Sequence, residues 1–189
     1  MLINKIDNYY YITNVKEHLK IKNKLLELIN KMPSNLISMS TPSDNLNEEE
    51  LEDKYVSDWS VDSNYNREYL NYFYEIIQPY LTDMCLKLNF KKYKIINGWF
   101  QRYKHSHQHI WHVHPDSNYT NMFYIDLPYN EVATQLYDPI NKTIIKPKVK
   151  EGDLLTFPAN ILHRSPKNIT DKIKTIISFN TSYEDYDDN

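Results

Sequence analysis

Five of the seven histidines fall within ten residues, at His105, His107, His109, His112 and His114, and another, His163, stands alone much later in the chain. His112 and His114 are two residues apart, so on an extended strand both imidazoles project from one face. A metal ion needs convergent nitrogen donors, and such a pair is a simple way to supply two of them. His163 follows a short apolar run, 153–157, and the turn-like Pro158-Ala159-Asn160. If the strands carrying these residues are neighbours, His163 closes a three-nitrogen face and leaves other coordination positions open, as a catalytic iron requires. The alternative is that these histidines are hydrogen-bonded core or surface residues. His105, His107 and His109 also alternate, but read as an exposed strand or loop, with a second surface metal patch as the alternative. His18 carries no functional expectation.

The elements that must position these side chains change character near Tyr93. Before it the pattern is helical. Asn14 and Glu17 have capping-box spacing ahead of Ile21, Leu25, Leu28 and Ile29 on one helical face, and Pro33 stops that helix. Leu70, Phe73, Ile77, Leu81, Met84 and Leu88 recur at three- and four-residue intervals, with Pro79 expected to kink or split the helix. Between them, Pro42 to Asp53 is acidic and reads as a solvated loop or exposed turn of helix. From Tyr93 the period is two. Ile95, Trp99 and Tyr103 are expected on one face, with Ile96, Phe100 and Arg102 on the other. Further strands are expected over 121–127, 132–137, 143–149, 153–157 and 174–182, with Asn130, Asn141 and Gly152 marking turns. Short strands without intervening helices indicate an antiparallel sandwich, barrel or jelly roll.

Composition narrows the function classes. The 189 residues, 41% hydrophobic and 25% charged, suit one soluble globular domain, or a domain with a helical extension. A net charge of -3 gives no electrostatic footprint for nucleic acid. No apolar run reaches the length of a membrane span, and Lys5, Asp7 and Asn8 interrupt any signal-like N-terminus, so a cytoplasmic address is expected. The lone Cys85 excludes an internal disulfide and a Cys-x-x-Cys metal site. With Gly present only twice, Asn and Asp are expected to fill most left-handed turn positions. The Lys/Asn/Ile/Tyr-rich, Arg-poor vocabulary suggests an AT-rich coding genome of viral type.

The stretches Trp99-Phe100-Gln101-Arg102-Tyr103, His112-Val113-His114-Pro115-Asp116-Ser117 and Met122-Phe123-Tyr124-Ile125 resemble the front half of a 2-oxoglutarate- and Fe(II)-dependent oxygenase. Glu151-Gly152-Asp153-Leu154-Leu155-Thr156-Phe157-Pro158, His163, Pro166-Lys167-Asn168 and Ile177-Ser178-Phe179-Asn180 resemble its back half. The group most like it is the HxHPxS type of marine phages and bacteria, which is similar to prolyl hydroxylases. The resemblance covers about 94–181. It implies a double-stranded β-helix (a jelly-roll, cupin-like fold) over 93–189, with residues 1–92 as a helical extension packed outside it. It also implies Fe(II) held by His112, His114 and His163, and 2-oxoglutarate as cosubstrate. Lys174, 11 residues after His163, stands where the family grips the far carboxylate of 2-oxoglutarate, and Tyr124 and Tyr103 match pocket tyrosines. The implied activity is hydroxylation of a protein side chain or a small metabolite, coupled to decarboxylation of 2-oxoglutarate to succinate. Homodimerisation is an open expectation.

Two departures from the family pattern stand out. His114 replaces the usual Asp or Glu, and three neutral imidazoles leave an Fe(II) site one charge more positive. The alternative register His114/Asp116/His163 restores a carboxylate. Lys174 replaces the usual Arg, a point charge in place of a planar fork, with Lys172 as its rival; Ile176 stands where a serine often follows. Arg164 is expected to point away from the ligands. Trp99, Phe100, Trp111 and Phe157 either line a substrate cleft or form plain core. Two other classes remain: a cupin-like three-His metal protein that does not use 2-oxoglutarate, and a metal-free β-sandwich interaction module.

Overall fold

The structure, a computed structural model, describes residues 10–40 and 52–184. Eleven strands and two helices are described: β1 (Tyr11–Asn14), α1 (His18–Lys31), β2 (Asn35–Ser40), β3 (Glu52–Ser57), α2 (Glu68–Lys87), β4 (Lys92–Tyr103), β5 (His109–His112), β6 (Tyr119–Asp126), β7 (Gln135–Asp138), β8 (Thr143–Ile145), β9 (Asp153–Pro158), β10 (His163–Ser165) and β11 (Lys174–Glu184). They form a major sheet in the order β1-β9-β6-β11-β4-β3-β2 and a minor sheet in the order β5-β10-β7-β8. Every ladder is antiparallel. This is the expected jelly-roll fold. The N-terminal half contributes more than helices, since β1, β2 and β3 all belong to the major sheet.

Alternation along the long central strands separates two cores. On the outer face, Phe100, Phe123, Ile125, Leu154, Ile177 and Phe179 meet Ile21, Leu25, Leu28 and Ile29 of α1 and Leu70, Phe73, Ile77 and Leu81 of α2. The rings of Phe73 and Phe123 lie 4.8 Å apart at their centroids. On the inner face, Tyr103, Met122, Tyr124, Leu155, Phe157 and Ile176 pack with Val132, Leu136, Val149 and Ile161 of the facing layer. The inner face carries the site; the outer face anchors it.

Local departures from the sequence expectations have physical causes. Asn14 does not cap α1: it belongs to β1, and its amide donates to Asp153 Oδ1 at 2.8 Å. Glu17, likewise without a capping bond, accepts from the Tyr80 hydroxyl. Pro79 does not split α2, which runs through it to Lys87. The β4–β11 register slips at Ile96, because Asn97 faces Asn180 whereas Ile95 faces Thr181. That extra residue flips the strand's earlier part, so Ile95 packs with Phe100 on the outer core rather than with Trp99. The expected strand over 143–149 shortens to Thr143–Ile145, and the one over 132–137 begins at Gln135 after a 3-10 turn at Asn130–Val132.

The acidic run lies mostly outside the described residues, but its last members do not form a loop. Glu52 and Asp53 begin β3, and Asp53 is buried. Among the described residues left-handed backbone occurs at Asn89, Ser106, Lys142 and Gly152, so Asn fills only one of these positions. Gly152 is there for a second reason: a Cβ would come within 2.8 Å of the His18 ring. Among the described residues no helix is long and apolar enough to cross a membrane.

Candidate metal centre

The site begins with a strand pairing. β5 and β10 are neighbours, and His112 and His163 are directly opposed across the ladder, on one face. The chain then leaves β5 with His114 turned back toward them, its N–H held by Ala159 O at 2.9 Å. One ring nitrogen of each of His112, His114 and His163 falls within 4.8 Å of the others, a group able to hold a metal ion. Asp116 stands outside this group and is exposed, although it lines the adjoining cavity.

The donor set fits a transition metal such as iron. His112 Nδ1 lies 2.8 Å from Ile110 O, and His163 Nδ1 lies 2.9 Å from Ile161 O. A carbonyl only accepts, so in both rings Nδ1 carries the hydrogen and Nε2 offers its lone pair. His163 Nε2 and His114 Nε2 are buried and have no hydrogen-bond partner. Buried polar atoms rarely go unsatisfied, and a bound cation would satisfy both. Burial also keeps the rings neutral, as ligands must be. It holds His163 well below the ordinary imidazole range and pushes His114 down to about 4, with the neighbouring His112 adding to both effects. His112 is lowered by burial and is partly held up by its bond to Ile110 O.

His109 is no exposed loop residue. Its ring stacks on His112 at 3.7 Å between centroids and meets Tyr55 at 4.6 Å. Its Nε2 lies 3.8 Å from Asp53 Oδ1, which also accepts from Ile110 N at 2.8 Å. Burial and the neighbouring His112 hold His109 far below the usual range. His107 is also buried, whereas His105 is exposed as expected.

Lys174 and Lys172 part company completely. Lys172 is exposed; Lys174 is 0% exposed and donates to Val132 O and Ser165 Oγ, each at 2.7 Å, with its ammonium 4.5 Å from the centre of the Tyr103 ring. Among the described residues no carboxylate pairs with it. Burial alone pushes its pKa down to about 7. Tyr103 and Tyr124 are both buried on the same inner core. The Tyr124 hydroxyl accepts from Thr134 N at 3.2 Å, and burial raises its pKa to about 12. Arg164 turns away from His163 and stacks over Trp111 at 4.6 Å, while its Nε donates to Gln135.

A cavity of about 290 Å³ adjoins His109, His112 and His114. Trp99 lines it, together with Tyr55, Trp59 and Met39 from the N-terminal half. Phe100 and Phe157 are core, as the plain reading has it. Sequence reasoning missed Asp53, Tyr55 and His109. The signal available was the alternation of 52–57, whose every second residue is buried.

A scan against protein-family models gives no match, and neither does a search of curated proteins. Solved structures do match. The viral collagen prolyl hydroxylase of Paramecium Bursaria Chlorella virus-1, in complex with 2-oxoglutarate, is 18% identical with a TM-score of 0.57, the match covering 92% of this chain and 95% of that one. A 2OG-Fe(II) oxygenase family oxidoreductase from Burkholderia pseudomallei gives 8% identity and a TM-score of 0.68 over 93% of this chain and 87% of that one. The epimerase SnoN, in complex with Fe3+, alpha ketoglutarate and nogalamycin RO, gives 13% and 0.63 over 94% and 82%. At these identities the likeness is one of architecture. The chain has the jelly-roll fold of 2-oxoglutarate/Fe(II) oxygenases, and that fold brings His112, His114 and His163 together.

Proposed function

We propose that this chain is a 2-oxoglutarate- and Fe(II)-dependent dioxygenase acting as a hydroxylase. In this reading His112, His114 and His163 hold the iron. Lys174 grips the far carboxylate of 2-oxoglutarate, with Tyr124 donating a hydrogen bond and Tyr103 walling the pocket. The observation that carries it is the pairing of two incomplete features in the interior between the two sheets, where Lys174 of β11 meets Ser165 of β10. One is the three-imidazole group with its unpartnered nitrogens; the other is a fully buried ammonium with no carboxylate partner among the described residues. A dicarboxylate reaching from the metal to Lys174 completes both.

Bound iron with 2-oxoglutarate supplies the oxidising chemistry that couples hydroxylation of a C–H bond to formation of succinate and CO₂. The protein's share is geometric and electrostatic. The buried rings stay neutral, and Phe157, against His163 at 4.8 Å between centroids, helps keep water away. Lys174 is prepositioned by Val132 O and Ser165 Oγ, so little ordering remains when the cosubstrate arrives.

For the primary substrate we favour a polypeptide side chain over a free metabolite. The 290 Å³ cavity beside the histidines shares Trp59, Asn97 and Trp99 with a wider groove of about 630 Å³ running between α2 and β4. A side chain can occupy the first while its backbone lies along the second. Among the described residues no Lys or Arg lines the smaller cavity, and Asp116 is its formal charge, so a neutral or cationic group fits better than an anionic one.

Adding 2-oxoglutarate to the protein with Fe(II) under anaerobic conditions is expected to give a weak visible metal-to-ligand charge-transfer band. Metal binding without that band would replace this reading with a three-His metal protein that does not use 2-oxoglutarate. Absence of metal binding would replace it with an interaction module.

A further inference from the structure

The three imidazoles are not oriented by the same means. His112 and His163 each have a backbone carbonyl at Nδ1, from Ile110 and Ile161. The partner of His114 Nδ1 is a side chain, the amide of Asn180 on β11 at 3.4 Å. Asn180 is 5% exposed, and its strand neighbours across β4 and β6 are Asn97 and Thr120. The two asparagine amides also bond each other at 2.9 Å.

An asparagine amide keeps nearly the same shape when its oxygen and nitrogen are exchanged, so its partners decide which atom faces which. With nitrogen toward His114, the ring accepts at Nδ1 and its hydrogen goes to Nε2, the atom shared with the cluster. That arrangement leaves both His114 Nε2 and Asn180 Oδ1 buried without partners. With oxygen toward His114, Nδ1–H donates to it and Nε2 presents a lone pair, as in the other two rings, while Asn180 Nδ2 takes the unpartnered place of the oxygen. Turning Asn97 as well preserves the bond between the two amides with its direction reversed.

We propose that Asn180 is the positioning residue of His114: its side-chain oxygen accepts the Nδ1–H and sets the tautomer whose Nε2 joins those of His112 and His163. The inference rests on the metal-site reading above and extends it to a residue that touches no metal. It explains how a histidine serves at this place without a local carbonyl.

The test has two independent readouts. In the metal-free protein, long-range ¹H–¹⁵N correlation of the histidine rings is expected to show His114 protonated at Nδ1. Asn180→Leu is expected to shift it toward a tautomer mixture, with His112 and His163 unchanged. Co(II) titration of the same proteins is expected to show affinity lowered by about 10- to 100-fold in Asn180→Leu. Asn180→Asp, which keeps an acceptor, should retain the Nδ1–H form and hold affinity within a few-fold; it also serves if the leucine variant does not fold. A His114 ring protonated at Nε2 in the unsubstituted protein, or Co(II) affinity unchanged in a folded Asn180→Leu, overturns the proposal. If the unsubstituted protein binds no Co(II), the metal-site reading fails, while the tautomer measurement still decides the role of Asn180.

Discussion

Two buried charges, Asp58 on the helix side of the major sheet and Lys174 on its inner face, are accommodated in opposite ways. Both are 0% exposed. Asp58 is saturated: Arg67 Nε donates to it at 3.0 Å, the Tyr69 hydroxyl at 2.8 Å and Phe100 N at 3.0 Å. The same guanidinium reaches back to the carbonyls of Asp58 and Val61, fastening the loop before α2 to the edge of β4. Among the described residues Lys174 has a carbonyl, a hydroxyl and the face of the Tyr103 ring, but no carboxylate. A buried charge with a full set of partners is structure. One left without an opposite charge is a cost to the fold, and it makes sense where a ligand supplies the missing charge. The histidine group repeats the lesson, because its unpartnered nitrogens lie on the same side as Lys174.

The comparison can be broken most sharply at the metal group. His163→Ala is expected to reduce metal-dependent succinate formation to background while the near-UV circular dichroism stays folded; undiminished turnover would remove His163 from the site. Next in size, Asp58→Ala leaves the Tyr69 hydroxyl and the Arg67 guanidinium without their shared acceptor. Urea unfolding is expected to show a loss of about 3–5 kcal/mol, with the requirement for 2-oxoglutarate unchanged in whatever folds. A near-neutral result there would mean that Asp58 is not the structural charge described.

Lys174→Met should behave in reverse. The KM for 2-oxoglutarate rises about 10- to 100-fold, the loss of a charge-assisted contact, while iron content holds and the metal-free protein loses no stability. The pH dependence sharpens this further. Lys174 has a folded pKa of about 7, against an ordinary lysine near 10.4 in the unfolded chain. The unfolded state therefore binds more protons between those values, so stability rises with pH across that window at up to about 1.4 kcal/mol per unit. Below pH 7 both states are protonated and this contribution is flat. Urea midpoints measured from pH 6 to 10 without cosubstrate should show the rise in the unsubstituted protein and not in Lys174→Met; equal slopes would place the charge elsewhere.

Much of the fold was legible because its signals are local. The stripe Ile21, Leu25, Leu28 and Ile29 and the period-two runs from Tyr93 onward name their own elements, and His112-x-His114 marks itself by spacing alone. The resemblance then pointed to His163 and Lys174. Less legible was anything resting on a register. The slip at Ile96 moved Ile95 to the opposite core, and nothing in the string around it announces a bulge. Asp53 and Tyr55 were obscured by the acidic residues before them, and His109 by the apparent company of His105 and His107. Asn180 lay inside a quoted motif without a role, because its partner His114 is 66 residues away.

The amino-acid sequence by itself determined the two helices, the period-two strands that follow them and the concentration of imidazoles around position 112, since a side chain's periodic direction depends only on its near neighbours. The tertiary structure alone decided that His163 faces His112, that Lys174 is buried while Lys172 is exposed, and that Met39, Asp53, Tyr55 and Trp59 of the N-terminal half reach the centre. Those outcomes depend on which strands pair and in what register, a choice made by burying two apolar faces at once across the whole sheet.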